Sequence, residues 1–118
     1  MHDFQRLDSW RSISDAELEN SYDEEAVALL ERCIVELGDS QQRQQRITRE
    51  NFVAMARTAI ALRYDGSNAL SGAILDADEC LEQGDTESAR QIYRGFIDSC
   101  PSAFYCRIAR GQLNKIER

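Results

Sequence analysis

The sequence predicts an all-α protein, a single compact bundle of about five helices, and three observations support this. The chain contains one proline and six glycines, so residues that break helices are rare. Apolar residues recur at the helical spacing i, i+3, i+4 and i+7 in successive segments. No segment alternates apolar and polar residues with the β-branched enrichment that is typical of strands.

The N-terminal third is predicted to contain a segment, residues 1–13, followed by two helices. Ser14 and Glu17 fit a capping box, in which each side chain satisfies a backbone N–H group at the helix start. A second box, Ser21-Tyr22-Asp23-Glu24, predicts the start of a longer helix. The predicted buried stripe of this helix is Ala26, Val27, Leu30, Cys33, Ile34 and Leu37. Gly38 predicts its end in the left-handed conformation, which glycine adopts without steric cost.

The middle of the chain is predicted to contain a polar connection and two helices. The segment "DSQQRQQRIT", residues 39–48, has helix propensity but no apolar face, so we expect a solvated connection or an exposed extra turn. Thr48 predicts the next N-cap, with Asn51 completing a weaker box. Asp65-Gly66 predicts the end of that helix, and Ser67 or Asn68 is expected to cap a separate one.

The last third is predicted to contain a helical hairpin and a final helix. Gly84 ends the first helix of the hairpin and Asp85 caps the second. Pro101 cannot continue that helix, and Ser102 predicts the cap of the last one. The predicted organisation is one domain, residues 1–118, made of an N-terminal segment (1–13), N-terminal helices (14–66) and a hairpin with its capping helix (67–118).

Residues 69–101 resemble a single tetratricopeptide repeat, a hairpin with small residues where its helices cross, an aromatic residue beside them and a terminal proline. The matching positions are Ala77, Ala89, Tyr93, Pro101 and, in the following helix, Gly111. Ala73 and Asp76 stand where the repeat has an aromatic residue and a leucine. The resemblance implies a hairpin whose open face is covered by a capping helix, within one bundle rather than a solenoid.

A second resemblance covers more of the chain and is carried mainly by residues 75–117. The matching positions are Trp10, Leu29-Leu30, Gly84-Asp85, Ala89-Arg90, Tyr105, Arg107-Ile108-Ala109 and Gln112-Leu113. Together they resemble the DUSAM domain, a paralogous domain of myxobacteria, although residues 41–49 depart from its pattern. The resemblance implies a fold. Because that family has no established activity, it implies no function.

The net charge of −7 disfavours binding to nucleic acid. Residues 1–37 carry ten acidic and three basic residues, whereas residues 39–66 carry three acidic and five basic ones. Asp23, Glu24 and Glu25 open the longer N-terminal helix, where negative charge also complements the helix dipole. We therefore expect either a solvated acidic surface or a docking site for a basic partner there.

Four arginines on the last two helices are candidates for a basic docking ridge: Arg90, Arg94, Arg107 and Arg110. Their spacing places each pair on one helix face, and the last helix also carries Lys115 and Arg118. Phe104 lies off the apolar stripe and is a candidate contact residue. The alternative is that the arginines pair within the chain, for example with Glu87 or Asp98.

No group of residues predicts catalysis, a metal or a cofactor. The four cysteines, Cys33, Cys80, Cys100 and Cys106, contain no C-x-x-C pair, and His2 is the only histidine. We expect buried reduced thiols, with a Cys100–Cys106 disulfide or a metal site as alternatives. Four acidic residues of one helix are expected to form a solvated face rather than an acid–base or metal site: Asp76, Asp78, Glu79 and Glu82.

The sequence therefore predicts a non-catalytic protein–protein interaction module, an adaptor or regulatory bundle without a cofactor. The alternative is a small acidic immunity or antitoxin-type inhibitor that blocks a basic toxin site. Self-association into a homo-oligomer is compatible with either. No apolar run reaches the roughly 18 residues of a membrane span, and the polar N-terminus lacks the pattern of a secretory signal, so we expect a cytoplasmic protein.

Overall fold

The computed structural model describes residues 2–117, which form seven α-helices and one 3₁₀ turn and contain no strand. The all-α prediction is confirmed. The helices are α1 (His2–Ser9), α2 (Asp15–Asn20), α3 (Glu24–Leu37), α4 (Ser40–Gln44), α5 (Phe52–Glu82), α6 (Thr86–Ser99) and α7 (Ala103–Ile116), and the 3₁₀ turn is Trp10–Ser12. The chain divides into a first unit, residues 1–64, and a second unit, residues 65–118, close to the predicted division after residue 66. That the two units form one domain stays a prediction.

The N-terminal segment, for which the sequence predicted no main helix, forms α1 and the 3₁₀ turn. Phe4 and Leu7 lie one turn apart on α1 and are buried, and Trp10 of the 3₁₀ turn is buried as well. The Trp10 ring lies edge-on to Phe52 of α5, with 5.6 Å between the ring centroids. The segment is therefore part of the core of the first unit.

Arg57 of α5 connects the 3₁₀ turn and the start of α2 to α5. Its guanidinium donates hydrogen bonds to the main-chain carbonyls of Trp10, at 2.8 Å, and Ile13, at 2.7 Å. It also pairs with the Asp15 carboxylate, 3.0 Å away, at the start of α2. Carbonyls at the end of a helix lack intrahelical partners, and here one planar guanidinium supplies donors to two of them.

The predicted cap of α2 is confirmed, because the N–H of Glu17 donates to the Ser14 hydroxyl oxygen at 3.1 Å. The predicted cap of α3 is wrong by two residues. Asp23 caps this helix through a 2.7 Å hydrogen bond from the N–H of Ala26. Ser21 instead ends α2, where its N–H and its hydroxyl both donate to the Glu17 carbonyl. A residue that completes one helix is not available to open the next.

The chain leaves α3 without the predicted left-handed glycine. Gly38 has a φ of −93°, and its N–H still donates to the Ile34 carbonyl at 2.8 Å. Asp39 then caps α4 in a reciprocal capping box with Gln42. The extended glycine therefore leads directly into the next helix. Because α4 buries none of its residues, it is the exposed extra turn that the sequence predicts.

The hydrogen bonds of the predicted box are present before α5, but α5 begins at Phe52, so Thr48 is not its N-cap as predicted. The N–H of Thr48 donates to Asn51 Oδ1 at 2.7 Å, and the N–H of Asn51 donates to Thr48 Oγ1 at 3.3 Å. Ile47, immediately before this box, is buried despite the polar character of its segment. The connection thus supplies one apolar side chain to the first unit.

Helix α5 runs without interruption, which contradicts the predicted break at Asp65-Gly66 and the predicted cap at residues 67–68. Gly66 lacks the positive φ of a turn glycine. It lies beside Tyr105 of α7, and a Cβ atom at this position would come within 2.5 Å of two carbon atoms of the tyrosine ring. The glycine therefore permits a close approach of two helices rather than a turn.

The second unit contains the predicted hairpin and final helix. Gly84 has a φ of +79°, the left-handed conformation that glycine accepts. The Asp85 carboxylate accepts a hydrogen bond from the N–H of Ser88 at 3.1 Å, and the Ser102 hydroxyl accepts one from the N–H of Tyr105 at 3.2 Å. Both predicted N-caps are confirmed.

Three positions that resemble the tetratricopeptide repeat are buried, since Ala77, Ala89 and Tyr93 are at most 1% exposed. Gly111 departs from the expectation. It is exposed, and a Cβ atom there would meet no packing neighbour within 4 Å, so Gly111 is not a helix-contact position of this chain. The similarity to the repeat as a whole stays a prediction.

Candidate interaction surfaces

The three acidic residues predicted as a docking site have three different environments. The Asp23 carboxylate is engaged in capping α3. The Glu25 carboxylate lies 3.3 Å from the guanidinium of Arg6 on α1. Glu24 is exposed and has no ion pair among the described residues. Of the three, Glu24 is therefore the one whose charge is available to a partner.

Glu24 begins a row of side chains along the solvent side of α3. These side chains recur about once per turn and form what we call the α3 stripe: Glu24, Val27, Ala28, Glu31 and Val35. Val35 is 54% exposed, which is high for an aliphatic side chain. Two shallow depressions meet at Glu31, one of about 280 Å³ towards Tyr22 and one of about 180 Å³ towards Ile47. The stripe combines apolar surface with two carboxylates.

The basic side chains closest to the α3 stripe along the chain are already engaged. Arg32 makes two hydrogen bonds to the Asp3 carboxylate, at 2.8 and 3.0 Å, and this contact raises the pKa of the guanidinium. Arg43, which lines the depression towards α4, donates to the Gly38 carbonyl at 2.7 Å. Neither glutamate of the stripe has an ion pair among residues 2–117. Both carboxylates are thus uncompensated.

Glu31 and Val35 are not among the residues that the sequence singled out. A signal for them exists, because both lie away from the buried positions Leu30, Cys33 and Leu37 of the same helix. An apolar residue on the solvent side of an amphipathic helix is the pattern that marks the stripe. What the sequence alone does not show is which nearby arginines are free to neutralise it.

The predicted arginines of α6 are engaged within the chain. Arg90 pairs with Glu87 at 3.2 Å, as the alternative interpretation anticipated, and Arg94 pairs with Glu117 at 2.9 Å. Each pair lies at the surface, where an ion pair contributes at most about 1 kcal/mol. Pairing nevertheless lowers the positive charge that α6 offers to an acidic partner.

The predicted residues of α7 lie at or near the surface. The guanidinium of Arg107 lies 6.0 Å from the ring centroid of Phe104, which is half-buried and edge-on to Tyr105. Arg110 is exposed and has no ion pair within the described part of the chain. Arg118 lies outside the described residues. The predicted basic ridge therefore has intramolecular pairs on α6 and exposed cations on α7.

The four cysteines are free thiols, and Cys33 and Cys106 are buried as predicted, whereas Cys80 and Cys100 are only half-buried. Burial raises the pKa of Cys33 from its ordinary value of 9.0 to about 12, and the negative charge of Asp3 adds to the shift. Burial also raises the pKa of Cys106, whose Sγ lies 3.4 Å from the Cys100 carbonyl oxygen at the end of α6. A raised pKa suppresses the reactive thiolate, so both thiols behave as small apolar side chains.

The second unit contains a groove of about 360 Å³ between α5, α6 and α7. Its lining includes the ionisable side chains of Asp78 and Lys115 and the buried ring of Tyr93. Burial raises the pKa of the Tyr93 hydroxyl, and the negative charge of Asp78 adds to this. Because one carboxylate and one ammonium group line the groove, it has no net charge with which to select a partner.

Within residues 2–117, no group of three or more His, Cys, Asp or Glu side chains is placed to hold a metal ion. The side chain of His2 lies outside the described part of the structure. None of the helices that the structure describes is both long and apolar enough to cross a membrane. The chain matches no family model, no curated protein and no solved structure.

Proposed function

We propose that the chain is a non-catalytic protein–protein interaction module that binds its partner through exposed helix faces. The observation that supports this is the α3 stripe. Val35 is exposed and Val27 and Ala28 are half-buried, and they lie between carboxylates that have no ion pair among the described residues. Apolar surface bordered by charged groups is typical of sites that bind other proteins.

The distribution of ion pairs in the first unit supports the same proposal. Four arginines each pair with a carboxylate from residues 1–37: Arg6 with Glu25, Arg32 with Asp3, Arg57 with Asp15 and Arg63 with Asp8. These pairs use the nearby positive charge for internal contacts. The remaining carboxylates keep this part of the chain negative, which attracts a basic surface at long range and accelerates association.

A small acidic inhibitor of a basic toxin is the second candidate function. The observation that favours it is the excess of ten acidic over three basic residues in positions 1–37. An acidic surface of this kind suits an inhibitor that must reach a basic active site quickly. The two candidates share a binding surface and differ in what the partner does.

We propose that the resemblance to the DUSAM domain reflects a shared fold. Several positions that carry it are buried: Trp10, Leu29, Leu30, Ala89, Tyr105 and Ala109. Buried positions determine how the helices pack, so they support a shared fold rather than a shared ligand.

Affinity capture from the native host tests the interaction function. The wild-type chain is expected to retain one protein that forms a complex of defined stoichiometry when both components are purified and mixed in a calorimeter. If no retained protein re-forms a complex from purified components, the proposed function is wrong.

The same purified partner tests the second candidate. An inhibitor abolishes the partner's enzymatic or toxic activity when it is added at one equivalent. An activity that is unchanged when the partner is saturated with the chain contradicts the inhibitor function and leaves the adaptor function in place.

A further inference from the structure

We infer that the α3 stripe is a docking site for a basic amphipathic helix of another protein. The inference rests on the proposed interaction function and adds the surface and the chemistry of the partner. The partner helix places a row of aliphatic side chains against Val27, Ala28 and Val35. Its lysines or arginines pair with Glu24 and Glu31.

The shape of the stripe suits a helix. It extends from residue 24 to residue 35, which is about 17 Å at a rise of 1.5 Å per residue. Ala28 near its middle is small, so another helix can approach closely. The depressions on the two sides of Glu31 can accept side chains that project from the partner about one turn apart. Helix-in-groove recognition uses apolar residues at this spacing.

The charge of the stripe selects a basic partner. Glu24 and Glu31 have no ion pair among the described residues, so a cation of the partner displaces no internal one. Arg32 is paired with Asp3, whereas Arg43 donates to a main-chain carbonyl and keeps its positive charge at the depression towards α4. The net negative charge therefore lies at the depression towards Tyr22, which Glu24 and Glu31 line. An acidic helix or a nucleic acid would add like charge to the two carboxylates and is therefore disfavoured.

A second copy of the chain fits this surface less well. The chain has a net charge of −7, so two copies repel each other at long range. Of the cations that a second copy would offer, Arg90 and Arg94 already pair with Glu87 and Glu117, whereas Arg110 of α7 is exposed. The long-range repulsion therefore carries the preference for another protein. A helix from a basic protein meets no such repulsion.

The test uses a fluorescently labelled synthetic helix with leucines at i, i+4, i+7 and i+11 and lysines beside them, titrated with the full chain. A second peptide has glutamate at every lysine position, and a third has the lysine and leucine residues scrambled. The stripe variant is E24K/E31K. The matched control is E79K/E82K, which makes the same change in net charge at two exposed acidic residues of the second unit. Circular dichroism verifies that each variant is folded.

The wild type is expected to bind the basic amphipathic peptide in a saturable manner and to bind neither the glutamate peptide nor the scrambled one. The E24K/E31K variant is expected to bind at least about tenfold more weakly, because two attractive charge pairs become repulsive. The E79K/E82K control is expected to stay within about twofold of the wild type, because it removes no carboxylate of the stripe and salt screens the change in net charge alone.

Four results would overturn the inference. The first is that the wild type binds the basic amphipathic peptide no better than its controls. The second is that the two charge variants lose binding equally, so that net charge alone is responsible. The third is a dimer of the chain in sedimentation that E24K/E31K dissociates, so that a second copy covers the stripe. If a purified host partner binds E24K/E31K as tightly as the wild type, the α3 stripe is not the binding surface, while the interaction function stands.

Discussion

Replacing Gly66 by alanine is expected to destabilise the second unit, although alanine is the better helix former. A Cβ atom at residue 66 would lie 2.5 Å from Cδ2 and from Cε2 of Tyr105, whereas non-bonded carbon atoms prefer a separation of about 3.5–4.0 Å. The ring is 2% exposed and lies against Phe104, so it cannot swing into solvent. Either α5 and α7 separate by about 1 Å or the ring leaves its preferred rotamer.

The size of the effect follows from two opposing contributions. Overpacking a filled site costs about 1–3 kcal/mol, and exchanging glycine for alanine inside a helix gains about 0.5–1 kcal/mol. We therefore expect a net loss of up to about 2.5 kcal/mol for G66A. Gly95 and Gly111 are matched controls, because a Cβ atom at either position meets no packing neighbour within 4 Å. Both G95A and G111A are expected to gain about 0.5–1 kcal/mol.

Urea unfolding followed by far-UV circular dichroism measures these differences. The three glycines all lie in the second unit, so one transition reports on them together. A double-mutant cycle with Tyr105→Leu is expected to show coupling, because the smaller side chain relieves the contact with the new methyl group. If G66A is as stable as G111A, or if the cycle shows no coupling, α5 and α7 do not pack closely at residue 66.

Three further predictions concern the contacts of Arg57, the Cys33 thiol and the N-cap of α7. R57A is expected to lower the free energy of unfolding by about 2–4 kcal/mol, since two main-chain carbonyls lose a charged donor. The control R46A, at an exposed arginine, is expected to change the free energy of unfolding by less than about 0.5 kcal/mol. Equal effects of the two variants in urea unfolding would contradict the role of Arg57. Cys33 has a raised pKa in the folded state, so its contribution to stability is complete below pH 9.0 and is lost as the pH rises towards about 12. The wild type should therefore lose stability faster than C33A above pH 9. Parallel profiles of the free energy of unfolding against pH would refute this. S102A is expected to cost about 1 kcal/mol through loss of the α7 N-cap, whereas S102G should cost only about a few tenths of a kcal/mol, because glycine is tolerated at an N-cap. Equal losses in urea unfolding would contradict the role of the Ser102 cap.

Local rules account for most of what the sequence predicted correctly. The caps at Ser14, Asp85 and Ser102 each depend on a side chain and an N–H group three residues away, and such short-range pairs can be recognised in the sequence. The helical spacing of apolar residues is similarly local. The fold class therefore followed from the sequence without knowledge of how the helices pack.

Contacts between distant residues account for the errors. Gly66 has the same local signature whether it marks a turn or a close helix contact, and the ring that decides between them belongs to Tyr105 on another helix. The role of Arg57 depends on carbonyls 44 and 47 residues away.

The exposure of Glu31 and Val35 is visible in their spacing from the buried positions, whereas Val27, which was predicted to be buried, is only half-buried. The uncompensated charge of the α3 stripe is not visible in the sequence, because that depends on Arg32 pairing with Asp3 from 29 residues away.

The central claim, that residues 24–35 of α3 form the surface on which a basic helix docks, is tested most directly by an amide NMR titration. The isotope-labelled full chain is titrated with the basic amphipathic peptide, and chemical-shift changes are mapped onto the sequence. We predict saturable changes concentrated in residues 22–35 and in the neighbouring residues 42–47, and their loss in E24K/E31K. Changes concentrated in residues 65–117, or no saturable change, would contradict the account.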